Sequence, residues 1–120
     1  MTESTAELEK QIRRGKIVPG MSFAQKVWAV TARIPRGRVV TYADLARSLK
    51  STGYRAVGQA LHRNPYAPGV PCHRVVGSDG RLTGYAKGLA AKKRMLEEEG
   101  VRFRGSRVDL GRCRGALNSK

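Results

Sequence analysis

Residues that interrupt regular structure recur along the whole chain and leave room only for short helices and strands. Each interruption contains glycine or proline, which end helices and strands and form turns. They lie at residues 15–20, 34–37, 51–53, 64–71, 77–80 and 84–88. The chain of 120 residues is also long enough for only one domain of ordinary size. We therefore expect a single small domain built from short elements.

Between the interruptions, apolar spacing and capping residues predict helices. Ser22 and Thr41 are residue types that cap helix N-termini. Val39–Val40 is a short apolar piece that leads into Thr41, and Arg74–Val76 is predicted to be a short buried strand. The predicted helices cover residues 5–14, 22–32, 41–50, 54–63 and 89–98. The fold class is therefore mainly α with a few short strands.

The helices predicted at residues 41–50 and 54–63 are separated by a short turn, which is typical of a helix-turn-helix. The second helix carries the small residues Ala56, Gly58 and Ala60, which allow close approach to a DNA groove. We expect a winged-helix-like domain that contains this motif. An ordinary helical hairpin, packed only for stability, is the alternative.

Positive charge is the strongest signal in the composition. The formal net charge is +15, from 24 Lys and Arg against 9 Asp and Glu, which favours binding to a polyanion. A well-solvated basic surface, a ribosomal protein or a membrane-surface protein would share this composition. No apolar run reaches the roughly 20 residues that span a bilayer, and the acidic start does not suit a signal peptide. We expect an intracellular protein with no membrane partner.

The two cysteines, Cys72 and Cys113, lie far apart and are expected to be free thiols. Together with His62 and His73 they could supply four zinc ligands. The spacing lacks the paired Cys-x-x-Cys character of zinc sites, so no metal site is predicted.

Cys72 follows a loop rich in proline and glycine and directly precedes His73. A thiol needs a nearby base to react at neutral pH, because the pKa of a free cysteine is about 8.5. Neighbouring side chains of an extended segment point to opposite faces, so contact requires a bend or a bridging water. The acidic residues 97–99 are candidates to orient the imidazole. A buried structural cysteine beside a capping histidine is the alternative.

The stretch from Val30 to Gly100 resembles the C-terminal catalytic domain of the O6-alkylguanine-DNA alkyltransferases, also called methylated-DNA–protein-cysteine methyltransferases. Order and spacing of several motifs carry the resemblance. These are Ile34-Pro35-x-Gly37-x-Val39-x-Thr41-Tyr42, Arg55-Ala56-Val57-Gly58-x-Ala60-Leu61, Asn64-Pro65, Pro71-Cys72-His73-Arg74-Val75-Val76, Gly84-Tyr85, Gly88-Leu89 and Lys92 to Gly100.

The resemblance implies a DNA-repair protein that flips O6-alkylguanine out of duplex DNA and transfers the alkyl group irreversibly to its own Cys72. His73 would take the thiol proton through water, and Glu99, which precedes Gly100, would orient His73. Asn64 would tie the second helix of the motif to the cysteine loop. The lesion itself is the alkyl donor, so the resemblance implies no cofactor and a single turnover.

The resemblance also implies how the base is presented. Arg55 would intercalate in place of the flipped nucleotide, and Tyr42 would push on the phosphate and later donate a proton or hydrogen bond to guanine N3. The expected DNA-binding residues are Tyr42, Arg55, Ala56, Gly58, Gln59 and Arg63. In the expected substrate pocket, backbone groups of Cys72 and Val75 would line the guanine together with Tyr85 and Ala86. Leu61 would form an apolar wall, and Lys87 would lie beside the pocket mouth.

Three regions follow from this comparison. Residues 1–21 are expected to be a flexible N-terminal arm, 22–101 the catalytic and DNA-binding domain, and 102–120 a basic C-terminal tail. The larger relatives carry an N-terminal ribonuclease-H-like domain, which is expected to be absent here because only some 20 residues precede the matched region. Lys87 stands where the family commonly has a small residue, and would narrow the pocket or contact a phosphate.

The tail is similar to that of the alkyltransferase-like proteins, which replace the acceptor cysteine. An alternative function is therefore a non-enzymatic lesion-binding protein that flags O6-alkylguanine for an excision-repair partner. Cys72 favours the transferase. The expected partner in either case is double-stranded DNA carrying O6-alkylguanine, bound by a monomer in the cytoplasm at the nucleoid, or in the nucleus of a eukaryote.

Overall fold

A mainly helical architecture with a few short strands, as predicted, is present in a computed structural model of the chain, which describes residues 5–85 and 87–117. No helix in these two ranges is long and apolar enough to cross a membrane. The elements are α1 Thr5–Arg13, α2 Phe23–Thr31, β1 Val40–Thr41, α3 Tyr42–Ser48, α4 Tyr54–His62, β2 Val75–Val76, α5 Leu89–Glu98, β3 Phe103–Arg104, β4 Arg107–Val108 and α6 Leu110–Cys113.

Both predicted N-caps are confirmed, and each forms a reciprocal capping box. The Ser22 hydroxyl accepts a hydrogen bond from the Gln25 backbone N–H at 3.1 Å, and the Gln25 side chain accepts from Ser22 N–H at 2.9 Å. Thr41 and Asp44 make the same exchange at 3.0 Å in each direction. The second box fixes where α3 begins, and therefore fixes the position of Tyr42, the first residue of that helix.

The main core lies between α2, α3 and α4, which pack against one another. Strand β1 pairs in parallel with β2, with Val40 opposite Val75 and Thr41 opposite Val76. This pairing places the chain that follows Cys72 beside the start of α3. The buried residues of this core are Val27, Val30, Ile34, Val40, Leu45, Ala46, Val57, Ala60, Leu61 and Val75.

The N-terminal segment is docked, whereas a flexible arm is expected from its sequence. Ile12 of α1 is fully buried and packs in one cluster with Met21 and with Val70, which lies in the loop before Cys72. The Arg13 guanidinium lies over the Tyr66 ring, 5.1 Å from its centroid. Leu8 and Ile12, which are one turn apart, give α1 the apolar side that packs in this cluster.

The residues after 101 also fold back onto the domain instead of forming a simple basic tail. Strands β3 and β4 form an antiparallel hairpin. Beyond it, Val39 N–H donates to the Cys113 carbonyl at 2.9 Å, and Gly115 N–H donates to the Val39 carbonyl at 2.8 Å. The Arg114 guanidinium forms an ion pair with Asp44, the capping residue of α3. The tail therefore supports the same helix start that carries Tyr42.

Candidate active site

Cys72 begins a single 3-10 turn, Cys72–Arg74, between the proline-rich loop and β2. The Cys72 N–H donates to the Val70 carbonyl, and the Arg74 N–H to the Pro71 carbonyl, both at 2.9 Å. The turn provides the bend that an extended segment lacks. Cys72 is half-buried, whereas His73 is only 1% exposed. The thiol is therefore reachable from outside while the imidazole beside it is shielded from water.

His73 is held by Glu99 at the end of α5. The imidazole Nε2 lies 2.9 Å from Glu99 Oε2, and Arg74 donates to both oxygens of that carboxylate at 2.8 Å. A carboxylate only accepts hydrogen bonds, so Nε2 carries the hydrogen and Nδ1 keeps its lone pair. Nδ1 is buried and has no hydrogen-bond partner in residues 5–85 and 87–117. This nitrogen is the one available to take a proton.

Electrostatics keep this pair in the state that a base requires. Burial lowers the pKa of His73 below its ordinary value, against the raising effect of Glu99, so the ring is neutral at pH 7. Burial acts to raise the pKa of Glu99, but hydrogen bonds from Arg74 and His73 hold it below its usual range. The arrangement is a neutral imidazole oriented by an ionised carboxylate, as in other nucleophile–base–acid relays.

A narrow pocket of about 70 Å³ opens over Cys72 between α4 and the loop before α5. Tyr42, at the start of α3, donates or accepts a hydrogen bond with Thr83 Oγ1 at 2.7 Å on one side of it. Burial raises the pKa of Tyr42 and of Tyr85, with the neighbouring Cys72 adding to both shifts. The described lining residues are Tyr42, Gly58, Leu61, His62, Asn64, Ala67, Cys72, Gly84, Tyr85 and Lys87.

Asn64 bridges the end of α4 and the loop that carries Cys72. Its Nδ2 donates to the Val70 carbonyl at 2.9 Å, and its Oδ1 accepts from Tyr66 N–H at 2.9 Å. Both halves of the amide are thereby used to fold the loop over residues 64–70. The side chain also lines the pocket. The placement suits the tying role that the resemblance implies for this residue.

The outward side of α4 presents Arg55, Ala56, Gln59 and Arg63 to solvent. Arg55, Gly58, Gln59, His62 and Arg63 together line an open groove next to the pocket. Neither Arg55 nor Arg63 forms an ion pair with any residue of the described ranges. The expected DNA-binding residues therefore share one accessible helix face, with Tyr42 lying instead in the pocket wall.

Val75 is not among the described residues that line the pocket. The Val75 side chain is fully buried in the main core, and its carbonyl accepts a hydrogen bond from Lys92 at 2.7 Å. Ala86 lies outside the described residues.

Among the described residues no group of three or more His, Cys, Asp or Glu side chains is arranged to hold a metal ion. Cys113 is buried within the cluster beneath the hairpin.

Sequence reasoning missed Lys92, which is 1% exposed. Its ammonium donates to the carbonyls of Val75 and Thr83, at 2.7 and 2.8 Å, and so joins β2 to the pocket loop. Burial lowers the pKa of Lys92 to about 8, and Cys72 acts in the opposite direction. The signal was present in the sequence, because Lys92 stands one helical turn before the buried Leu96 on an otherwise apolar side of α5.

Comparison with known proteins identifies the family. The model of the DNA-binding domain of 6-O-methylguanine DNA methyltransferase matches residues 22–101. The chain belongs to the 6-O-methylguanine DNA methyltransferase family. Methylated-DNA–protein-cysteine methyltransferases of Methanosarcina barkeri and Thermococcus kodakarensis are 50% and 51% identical to it over 86 and 81 residues, which is 70% and 67% of this chain. These stretches are 54% and 45% of the relatives, so the chain spans about half their length.

Solved structures of the methyltransferase family and of a related protein share the fold. The Mycobacterium tuberculosis OGT in complex with DNA matches with a TM-score of 0.64 and 35% identity, over 78% of this chain and 64% of that one. Schizosaccharomyces pombe Atl1, in complex with damaged DNA containing O6-carboxymethylguanine, matches with a TM-score of 0.67 and 32% identity. That match covers 78% of this chain and 94% of Atl1.

Proposed function

We propose that this protein repairs O6-alkylguanine, chiefly O6-methylguanine, in double-stranded DNA by transferring the alkyl group to Cys72. One observation carries the proposal: a half-buried thiol opens to a pocket while the next residue, His73, is buried and oriented by the Glu99 carboxylate. Family membership supports the same reaction. A purely structural cysteine has no use for this arrangement.

The reaction is an in-line displacement. His73 Nδ1 takes the thiol proton through a bridging water, and the Cys72 sulfur attacks the alkyl carbon. The sulfur–carbon bond forms as the carbon–O6 bond breaks, and its electron pair stays on the guanine. The proton then passes from His73 to the guanine ring. The products are therefore unmodified guanine and a thioether on Cys72. The thioether is stable, and each molecule therefore acts once.

The base reaches the thiol by leaving the helix, because O6 of a stacked guanine lies beyond the reach of a half-buried residue. Arg55, exposed near the start of α4, fills the space left in the stack, and Gln59 and Arg63 on the same face contact the duplex. Tyr42 stays protonated because burial raises its pKa, so its hydroxyl can donate to the base or to a phosphate. The protein acts as a monomer, in the cytoplasm at the nucleoid.

The decisive experiment measures the intact mass of the protein after incubation with a duplex that contains O6-methylguanine. Wild type should gain one methyl group, located on Cys72 by peptide mapping, and Cys72→Ala should gain none. Cys113→Ala, which changes the other free thiol, should gain the methyl group as wild type does. No gain in wild type would overturn the proposal.

A binding-only function is the second candidate, because Atl1, which is 32% identical to the matched part of this chain, is solved in complex with damaged DNA containing O6-carboxymethylguanine. In that case the protein would hold the flipped lesion and present it to an excision-repair partner. Tight binding of the lesion duplex by wild type, without any change in mass, is the result that would establish it.

A further inference from the structure

The pocket over Cys72 has a positively charged mouth and no acidic wall. Lys87, exposed after Tyr85 and before the N-terminus of α5, lines it, and none of its described lining residues is Asp or Glu. The first turn of α5 also contains no acidic residue. A group that enters the pocket therefore meets a cation without a carboxylate beside it.

A second cation lies deeper on the same side. The Lys92 ammonium bonds only to backbone carbonyls in the described ranges, and it is electrostatically coupled to Cys72. Lys87 likewise forms no ion pair with any described residue. Lys92 is too deeply buried to reach a phosphate, so attraction to the DNA backbone does not explain its charge.

We propose that Lys87 makes the protein selective for O6-alkyl groups that end in a carboxylate, and that Lys92 adds to the same field. The proposal rests on the proposed function, because it specifies which adducts that site prefers. A lysine ammonium is a compact point charge that pairs with a carboxylate without a fixed geometry. A partly exposed pair of this kind is worth up to about 1 kcal/mol, which corresponds to a preference of about fivefold.

The chemistry at Cys72 is the same as for a methyl group. The sulfur bonds to the methylene carbon of an O6-carboxymethyl group as the carbon–O6 bond breaks, and the thiol proton ends on the released guanine. The carboxylate is carried along unchanged and needs no further reactant. Lys87 binds the carboxylate and does not take part in the bond exchange.

The test compares two duplexes that differ only in charge, one containing O6-carboxymethylguanine and the other its neutral amide, O6-carbamoylmethylguanine. For wild type, the transfer rate at limiting duplex should favour the carboxylate about fivefold. Lys87→Gln should remove this preference and Lys87→Arg should retain it. Lys93→Gln, whose lysine lies over the Phe103 ring at the hairpin and not in the pocket, should behave as wild type.

Two results would overturn the proposal. One is an unchanged preference in Lys87→Gln. The other is an equal loss on both duplexes and on the O6-methylguanine duplex, which would make Lys87 a phosphate contact. If wild type accepts an alkyl group from none of the duplexes, the proposed transferase function is wrong instead. The ratio of the two dissociation constants then tests Lys87 independently.

Discussion

Glu99 serves two side chains at once, since one carboxylate orients His73 and receives both donors of Arg74. Changing it to Gln keeps the size but removes the charge that fixes the imidazole hydrogen on Nε2. We expect Glu99→Gln to slow transfer to the methylated duplex by about 100-fold, because His73 loses the orientation on which its contribution as general base depends. Single-turnover rates measure this directly.

The matched control for that change is Glu98→Gln. Glu98 is exposed at the same helix end, and only its backbone carbonyl is used, by Arg36. Its transfer rate should equal that of wild type. If both variants were slowed equally, the effect would come from the helix end and not from the relay.

The pH dependence of transfer should follow His73. Burial lowers its pKa in the folded protein, so the ring stays neutral, and able to accept a proton, below the ordinary value of about 6.5. The rate with a free O6-alkylguanine base, which avoids effects on DNA binding, should therefore fall only at acidic pH. A midpoint above about 6.5 would contradict a buried neutral imidazole.

Lys92 should leave a mark on stability at alkaline pH. Its pKa is lowered from 10.5 to about 8 in the folded protein. Between these values the unfolded chain binds more protons, so the free energy of unfolding rises with pH. Relative to Lys92→Met, wild type should gain about 2 kcal/mol between pH 8 and pH 10.5 in urea unfolding. The exposed-residue control Lys16→Met should track wild type, and a flat difference between wild type and Lys92→Met would refute the shift.

The site residues that belong to a sequence motif could be predicted. The residues whose position depends on backbone groups distant in sequence could not. Cys72, His73 and Glu99 follow from the motif pattern, and the structure brings the last two into contact. The position of Lys92 one turn before Leu96 signals a buried lysine, but its partners, the carbonyls of Val75 and Thr83, lie on other elements and could not be read from the sequence. Backbone groups of Val75 were expected at the pocket, and pairing of β1 with β2 leaves its side chain in the core while its carbonyl accepts a hydrogen bond from Lys92.

At the scale of elements, α1 is the part most open to test, because it lies outside the residues matched by the family. Ile12→Ala empties a buried site next to Val70 and should lower the free energy of unfolding by about 2 to 5 kcal/mol. It should also slow transfer, because Val70 accepts the hydrogen bond of Asn64 that folds the cysteine loop. Chemical denaturation and single-turnover rates check the two effects.

Lys10→Ala is the control on the same helix, since Lys10 is exposed. It should leave both stability and rate near wild type. An Ile12→Ala variant that lost stability but kept the full transfer rate would show that α1 does not support the conformation of the cysteine loop.

Helices were predictable from local chemistry, whereas the strands after residue 102 were not. Ser22 and Thr41 mark helix starts through capping, and the interruptions mark their ends. The hairpin of β3 and β4 has only two residues in each strand, which is too short for an alternating pattern to be recognised. The position of the hairpin depends on Val108. This residue is buried in one cluster with Leu96 of α5 and with Val39, the residue before β1, only once the chain has folded back.

For the molecule as a whole, the charge of +15 should appear in the salt dependence of DNA binding. Arg55 and Arg63 are exposed on the face of α4, so replacing both with Gln should reduce the slope of log affinity against log salt by about 2. Arg114→Gln should leave the slope unchanged, because Asp44 already neutralises that guanidinium. A larger effect from Arg114 than from the α4 pair would place the duplex on the other side of the domain.

The bond between Arg74 and Glu99 has a consequence for how such a protein can change over evolutionary time. Arg74 also donates to the Ile34 carbonyl, so Arg74 links the carboxylate that orients His73 to the segment that follows α2. A lineage that lost Cys72 would lose the selection for chemistry but not the selection for a folded domain. Glu99 should therefore be retained, through its structural link to Arg74, in descendants that bind the lesion without accepting the alkyl group.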